Sequence, residues 1–310
     1  MKALVSPARH QVGLIDLPAP RPEPGEVRVR VLAASLNPVD AMVRDGMFHD
    51  LGHITHSQPL GLGWDLVGVV DDVGEEEVGW APGKRVAALL TGPDKRLGAL
   101  SEFVVVPAKD LAAVPDGLDH DVAAAVGMNA VTASQALDHL GPADGRALLI
   151  TGAAGGVGGY AVELAVLAGW QVTGLARLHD REFIERPGAR LITRLPADEG
   201  FDAILDAAPL QLDDDLFTTG LAPSLRDGGT LVSVLGALPL PTLPLGRSAT
   251  AVSVTSDAST LERLLTLAAE GTLTPRVAGT VQLTEFDKAF VGMGSGGRGR
   301  WVLQPNGPTD

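Results

Sequence analysis

The chain has 310 residues and 45% hydrophobic content, enough for two domains and a substantial core. Its formal net charge of −14 disfavours nucleic acid and anionic membrane as partners, so any anion site must be built locally against that field. Cysteine is absent, which excludes disulfides, thiolate metal sites and cysteine nucleophiles.

The opening stretch is cut by Pro7 and Arg9 before a signal-peptide apolar core forms. The longest uncharged stretch is too broken by glycine to span a bilayer, and a cytoplasmic protein is expected. Residues from Met1 to about Asp116 read as mostly β. Val27-Arg28-Val29-Arg30-Val31 alternates as a strand with one wet face does, after a Pro/Gly-rich turn from Pro18 to Gly25. Further strands are predicted at Asp65–Val70, Arg85–Leu90 and Glu102–Val106. The acidic run Asp71, Asp72, Glu75, Glu76 and Glu77 reads as a solvated connection.

From Asp119 the period changes, with a capped helix start at Asp119 and a second helix from Val131 to Leu140. Ala147-Leu148-Leu149-Ile150 then reads as a buried parallel strand, and Gly159 to Ala168 as a helix closed by Gly169. Between them stands Thr151-Gly152-Ala153-Ala154-Gly155-Gly156-Val157-Gly158, and a strand from Trp170 to Ala176 follows. This strand, glycine turn, helix and strand make the context of a dinucleotide-binding fingerprint. Gly152 permits the tight turn, Gly155 and Gly156 let backbone approach a pyrophosphate, and Gly158 lets the helix settle on the strand. The helix start offers N–H groups and a partial positive charge to that anion. Strands at Phe201–Asp206, Gly229–Leu235 and Ala249–Val254, a helix from Leu261 to Glu270 and a strand at Arg300–Leu303 complete the chain.

Several short motifs recur in a telling order. They are Asn37-Pro38-Val39-Asp40 with Arg44-Asp45-Gly46, Gly63-Trp64-Asp65-Leu66-Val67-Gly68, Val73-Gly74, Pro82-Gly83-Lys84-Arg85-Val86, Gly98-Ala99-Leu100-Ser101-Glu102-Phe103 and Asn129-Ala130-Val131-Thr132-Ala133. With Ala153–Gly158 they resemble the medium-chain dehydrogenase/reductase superfamily, in particular its zinc-free quinone oxidoreductase branch. The resemblance implies an α/β fold: a Rossmann doubly wound parallel sheet plus a mostly β, partly open GroES-like barrel. The barrel domain would take 1–118 and 273–310, and the Rossmann domain 119–272. It also implies an active site in the cleft between domains and a homodimer through the last Rossmann strand, Ala249–Val254.

The resemblance bears on metal as well. Alcohol dehydrogenases of the superfamily use catalytic zinc held by a Cys and a Gly-His-Glu histidine. Here Asn37 stands at the Cys position and Trp64-Asp65 replaces His-Glu. The four-cysteine structural lobe is missing, bridged by Gly92-Pro93-Asp94-Lys95-Arg96. His49, His53 and His56 read as a histidine-bearing loop, and the site is expected to be metal-free.

Without metal, hydride delivery suits acceptors that are already electrophilic, a small hydrophobic quinone or α,β-unsaturated carbonyl. The protein then supplies orientation, an oxyanion donor and exclusion of water. Asn37 is the expected donor, or the cap of the turn before Pro38, and the resemblance also places it against the cofactor. Arg44 either assists or pairs with Asp40 or Asp45. Phe48 and Trp64 either wall the pocket or pack in the core. Met42, Met47 and Phe48 leave this stretch apolar and without the tyrosines of related quinone reductases. Thr132 either bonds the ribose or diphosphate or bonds back to its own helix. Ala207, which follows Asp206, and Gly236 and Ala237, which end a parallel strand, complete the expected cofactor residues.

The cofactor is expected to be NADPH. Where an NAD-selective domain presents a carboxylate, the second strand delivers Arg177, with no acid before Asp180. Arg177 either binds the 2′-phosphate or pairs with Asp180 or Glu182, and Asp180 itself is the other group able to reach the ribose. The leading function is an NADPH-dependent quinone or enone reductase. The alternatives are a tailoring enoyl reductase on a carrier-bound or polyketide-like substrate, and a non-catalytic NADPH-binding redox sensor.

Overall fold

The computed structural model describes residues 1–75, 79–196, 199–238, 240–244 and 246–306, so Glu76 and Glu77 of the acidic run lie outside the described residues. Two compact units emerge, one of Met1–Met128 with Thr255–Asp310 and the other of Asn129–Val254.

The first unit opens with β1 (Lys2–Ser6) and β2 (Gly13–Asp16), an antiparallel pair. The long β3 (Glu26–Leu36) follows, then helices α1 (Pro38–Arg44) and α2 (Met47–Asp50). Next come β4 (Leu60–Gly61), β5 (Asp65–Val73), β6 (Arg85–Leu89), β7 (Phe103–Pro107), β8 (Leu111–Ala113) and α3 (His120–Ala124). In β3, Val27, Val29 and Val31 are buried while Arg28 and Arg30 face partly outward. The alternation stops at Ala33, beyond which every residue is buried. Pairing explains the change, because β7 flanks Glu26–Arg30 and another strand takes Ala34–Leu36. On the wet face Arg28 pairs with Asp71 at 2.6 Å and Asp72 at 3.4 Å, so part of the acidic run is an ion-pair partner.

The second unit carries α4 (Gly127–Asp138, beginning just before it), β9 (Ala147–Thr151), α5 (Gly156–Leu167), β10 (Gln171–Leu175), α6 (Arg181–Glu185) and β11 (Arg190–Ile192). β12 (Phe201–Asp206), α7 (Asp214–Leu216), β13 (Leu225–Ser233) and β14 (Ser248–Ala251) complete it. All six strands are parallel, in the order β11-β10-β9-β12-β13-β14. This is the doubly wound order, whose direction reverses between β9 and β12 and opens a ligand crevice at their carboxyl ends. Leu148, Leu149 and Ile150 of β9 are fully buried, as a central parallel strand requires. Leu149 joins Phe201, Ile204, Phe217, Leu221 and Leu231 in one apolar cluster.

The chain then returns to the first unit as α8 (Ala258–Ala269), β15 (Val277–Gln282), α9 (Phe286–Gly294) and β16 (Arg300–Gln304). β16 is the strand against Ala34–Leu36, and the sheet runs β15-β16-β3-β5-β6-β8 with open ends. The returning tail strand is thus present, and the fold joins a Rossmann-like parallel sheet domain to a GroES-like one.

Two boundaries differ from the sequence reading. Residues 119–128 and 255–272 group with the first unit rather than with the parallel sheet. There α3 lies on β3 and β5, and α8 packs on β6 and β8, burying Leu261, Leu264, Leu265 and Ala268. The last parallel strand also ends at Ala251 rather than Val254, although Val252 N–H still donates to Ser233 O at 2.8 Å.

Candidate cofactor and active site

The glycine turn sits at the β9 end of the crevice. Gly152 adopts φ +55°, and a Cβ there would lie 3.1 Å from the Ala207 carbonyl, so the turn passes close to the end of β12. Ala153 N–H donates to Leu175 O at 3.2 Å, and Gly155 N–H to Gly152 O at 2.7 Å. Helix α5 starts at Gly156 with no acidic residue in its first turn, and Gly155 before it is exposed. Gly158 is the closest approach: its Cβ would stand 2.2 Å from Gly152 O. Such a turn, closely seated under a helix N-terminus without acid, fits a dinucleotide pyrophosphate. Val157 is half-buried in that first turn, and Thr132 is buried on α4.

Asp206, at the end of β12, is fully buried and accepts from the Thr151 hydroxyl, whose oxygen accepts from Ala208 N–H at 3.1 Å. The Asp206 carboxylate therefore ties β9 to β12. Beyond β13, Leu235 N–H donates to Ser233 Oγ at 3.1 Å, and Gly236 and Ala237 follow.

Arg177 follows β10 and is exposed. Among the described residues it makes no ion pair. Asp180 is instead buried beside His179, and Arg181 takes Glu185. The sequence reading missed Arg194. In the parallel register Leu175 faces Ile192, so Arg177 and Arg194 each stand two residues beyond a paired position, at adjacent strand ends. Arg194 is exposed too. No sequence signal marks it, because β11 has three residues and its register is a tertiary property.

In the first unit Asn37 is buried between two carboxylates. Its backbone N–H donates to Asp40 Oδ2 at 2.9 Å, while Gly63 N–H donates to Asp40 Oδ1 at 2.7 Å. Its side-chain Nδ2 lies 3.2 Å from Asp65 Oδ1, 3.3 Å from Ser35 Oγ and 3.4 Å from Ser35 O. Asp65 also accepts from Ser35 Oγ at 2.6 Å and Met128 N–H at 2.8 Å. Burial pushes the Asp65 carboxyl up, and Asp40 up to about 6, against the pull of their donors. The Asn37 amide, read as a substrate donor or as the cap of the turn before Pro38, points its Nδ2 into this network, and Asn37 stands at the N-cap of α1. Asn37→Ala should cost about 1–3 kcal/mol of stability by leaving buried partners unmet, read by denaturant unfolding. A fall in kcat at unchanged stability would return the amide to the substrate.

Trp64 is buried, with its ring under the Lys95 ammonium, 3.7 Å from the centroid. Its Nε1 has no hydrogen-bond partner among the described residues. Lys95, which the sequence places in a Pro/Gly loop, donates to Leu90 O and Gly92 O at 3.0 Å each. Burial pushes it down to about 8, against the charges of Asp40 and Asp65.

Arg44 is turned to Asp45, with contacts of 2.7 and 2.9 Å, and lies 5.2 Å from the Phe290 ring. That pair, one of the two partners read for Arg44 in the sequence, holds Asp45 down at about 2. Phe48 is buried, its ring 6.1 Å from that of His53. A pocket of about 350 Å³ nearby is lined by Ser6, Arg9, Val43, Gly46, His49 and His56 among others. His49 Nε2 meets the His56 carbonyl at 3.0 Å, and His56 Nε2 meets Asp94 at 2.9 Å, so the ring nitrogens do not converge. Among the described residues no group of three His, Asp or Glu is placed to hold a metal, and no helix is long and apolar enough to cross a membrane.

Residues 23–116 match the alcohol dehydrogenase GroES-like domain, and residues 180–303 match the zinc-binding dehydrogenase family. The mitochondrial NAD(P)H oxidoreductase RTN4IP1 of Mus musculus is 34% identical over 204 residues, 61% of this chain. The match spans about half of that relative's length, 49%. The chloroplast envelope quinone oxidoreductase homolog of Arabidopsis thaliana is 30% identical over 71% of this chain and 69% of its own. The solved quinone oxidoreductase of Coxiella burnetii superposes with a TM-score of 0.83 at 25% identity, over 99% of both chains. Sequence, sheet order and glycine cradle agree, and the chain belongs to the medium-chain dehydrogenase/reductase superfamily, among its quinone oxidoreductase-like members.

Proposed function

We propose that the chain is an NADPH-dependent, metal-free oxidoreductase that reduces a hydrophobic quinone or α,β-unsaturated carbonyl. The observation that carries this reading is the content of the superfamily's zinc-ligand positions. Asn37 there is an amide donating toward Asp65, and Trp64 is an indole lying under an ammonium. Neither supplies the thiolate or imidazole that would hold a zinc ion to polarise an unactivated carbonyl. The acceptor must therefore bring its own electrophilicity, as quinones and enones do.

The dinucleotide, when bound, supplies the hydride. The turn from Gly152 through Ala153, Gly155, Gly156, Val157 and Gly158 takes the pyrophosphate, and the Gly236–Ala237 and Ala207 backbones approach the nicotinamide end. Thr132 bonds the ribose or diphosphate, and Arg177 with Arg194 takes the 2′-phosphate. Phe48 and Trp64, read as pocket walls or core residues, are both buried, and Trp64 packs under the Lys95 ammonium. The relative named as a quinone oxidoreductase homolog supports the acceptor class. The edge strand β14 is the surface through which a homodimer pairs.

The test is NADPH oxidation with simple quinones and enones before and after exhaustive chelation. Turnover should persist at its full rate, with no stoichiometric zinc in the protein. One tightly held zinc per chain, with activity lost on its removal, would overturn the metal-free assignment. NADPH bound but never oxidised would favour the redox sensor.

A further inference from the structure

Asp40 and Asp65 are both buried, and each accepts hydrogen bonds that fix backbone. Asp40 joins the N–H of Asn37, at the start of α1, to that of Gly63, and Asp65 holds the N–H of Met128. Hydrogen bonds alone rarely repay the burial of two carboxylates; an opposing charge is needed. Arg300 of β16 acts on Asp65, and Lys95 acts on both. Among the described residues Lys95 reaches neither acid directly. Its ammonium is held by the Leu90 and Gly92 carbonyls and the face of Trp64, and Leu90 N–H donates back to Trp64 O at 2.6 Å. The backbone closes round it too, since Gly61 N–H donates to Lys95 O at 2.7 Å. Two carbonyls and a π face are the partners of a cation.

We propose that Lys95 is a positioning residue: its ammonium is the resident cation that balances the buried Asp40, and with Arg300 the buried Asp65, and thereby fixes the Asn37 turn and the Gly63–Trp64 segment. The inference extends the metal-free reading of this site, and its test uses neither substrate nor cofactor, so the two can fail separately.

A double-mutant cycle between Lys95→Met and Asp40→Asn, read as unfolding near neutral pH, separates charge balance from simple loop anchoring. Loss of a clamp made of carbonyls and a ring would add to the Asp40 loss. Charge balance predicts that adding Asp40→Asn to Lys95→Met recovers about tenfold in the folding equilibrium. If Lys95→Met alone does not fold, recovery of a folded double variant supports the proposal, and failure to recover it overturns it. A carboxyl NMR titration of Asp40 gives a second reading. Its midpoint, expected at about 6 in the native chain, should move upward in Lys95→Met or Lys95→Gln and return in Lys95→Arg. Additive losses with an unmoved midpoint would reduce Lys95 to a loop anchor and overturn the proposal.

Discussion

Gly158→Ala should weaken NADPH binding by at least about a hundredfold while leaving most secondary structure in place. The added methyl would stand 2.2 Å from Gly152 O, 2.8 Å from the Gly152 carbonyl carbon and 3.0 Å from Ala153 Cα. These are backbone atoms, so no side chain can rotate away. Either α5 lifts from β9 or the turn opens. Overpacking of this kind costs about 1–3 kcal/mol in stability, and here it also moves the N–H groups meant for the pyrophosphate. Loss of one or two charge-assisted hydrogen bonds, worth about 1.5–3 kcal/mol each, gives the expected factor in affinity. Titration of the folded variant with NADPH, followed by fluorescence or calorimetry, checks it. Gly13→Ala is the control, because nothing lies within 4 Å of a Cβ at that position. If Gly158→Ala binds NADPH as the native chain does, the glycine turn is not the pyrophosphate cradle.

The β9–α5–β10 unit was legible in the sequence because everything that defines it is local: an apolar run, glycines at fixed offsets and a helix closed by Gly169. Each is a property of neighbours along the chain. Charge balance across distant segments is not. Lys95 lies among Gly92, Pro93 and Asp94, which by composition is a solvated loop, and nothing in that stretch announces that it folds over Trp64. The direction of the Asn37 amide was equally hidden. The sequence allows a substrate donor or a turn cap, and it does not show that the amide also donates to Asp65 on another strand. Helix α8 shows a third limit. Its Leu261, Leu264, Leu265 and Ala268 stripe marks an amphipathic helix, but a stripe does not say which sheet it covers. Its place after the last parallel strand suggests the dinucleotide domain, yet it packs on β6 and β8.

On the proposed NADPH reading, removing Arg177 and Arg194 together should leave a chain that binds the two dinucleotides almost alike. A 2′-phosphate is the whole difference between those cofactors, and guanidinium groups meet it with charge-assisted, potentially bidentate bonds. Both side chains are exposed at adjacent strand ends, and neither forms an ion pair with a described acid. Asp180, the acid able to compete for the ribose, is buried beside His179 instead. One such bond is worth about 1.5–3 kcal/mol, so Arg177→Ala alone should weaken NADPH about ten- to a hundredfold and leave NADH nearly untouched. Arg194→Ala should act in the same direction, and the double variant should lose more than either. Raising the salt concentration should erode the native preference, because exposed charges are screened within about 10 Å at 0.1 M ionic strength. Parallel titrations with NADPH and NADH measure all of this. Equal weakening of both dinucleotides by Arg177→Ala would mean that the arginine supports the strand end rather than reads the phosphate. Equal binding of both by the native chain would end the case for NADPH selection, and an effect confined to Arg194→Ala would move the selector to β11.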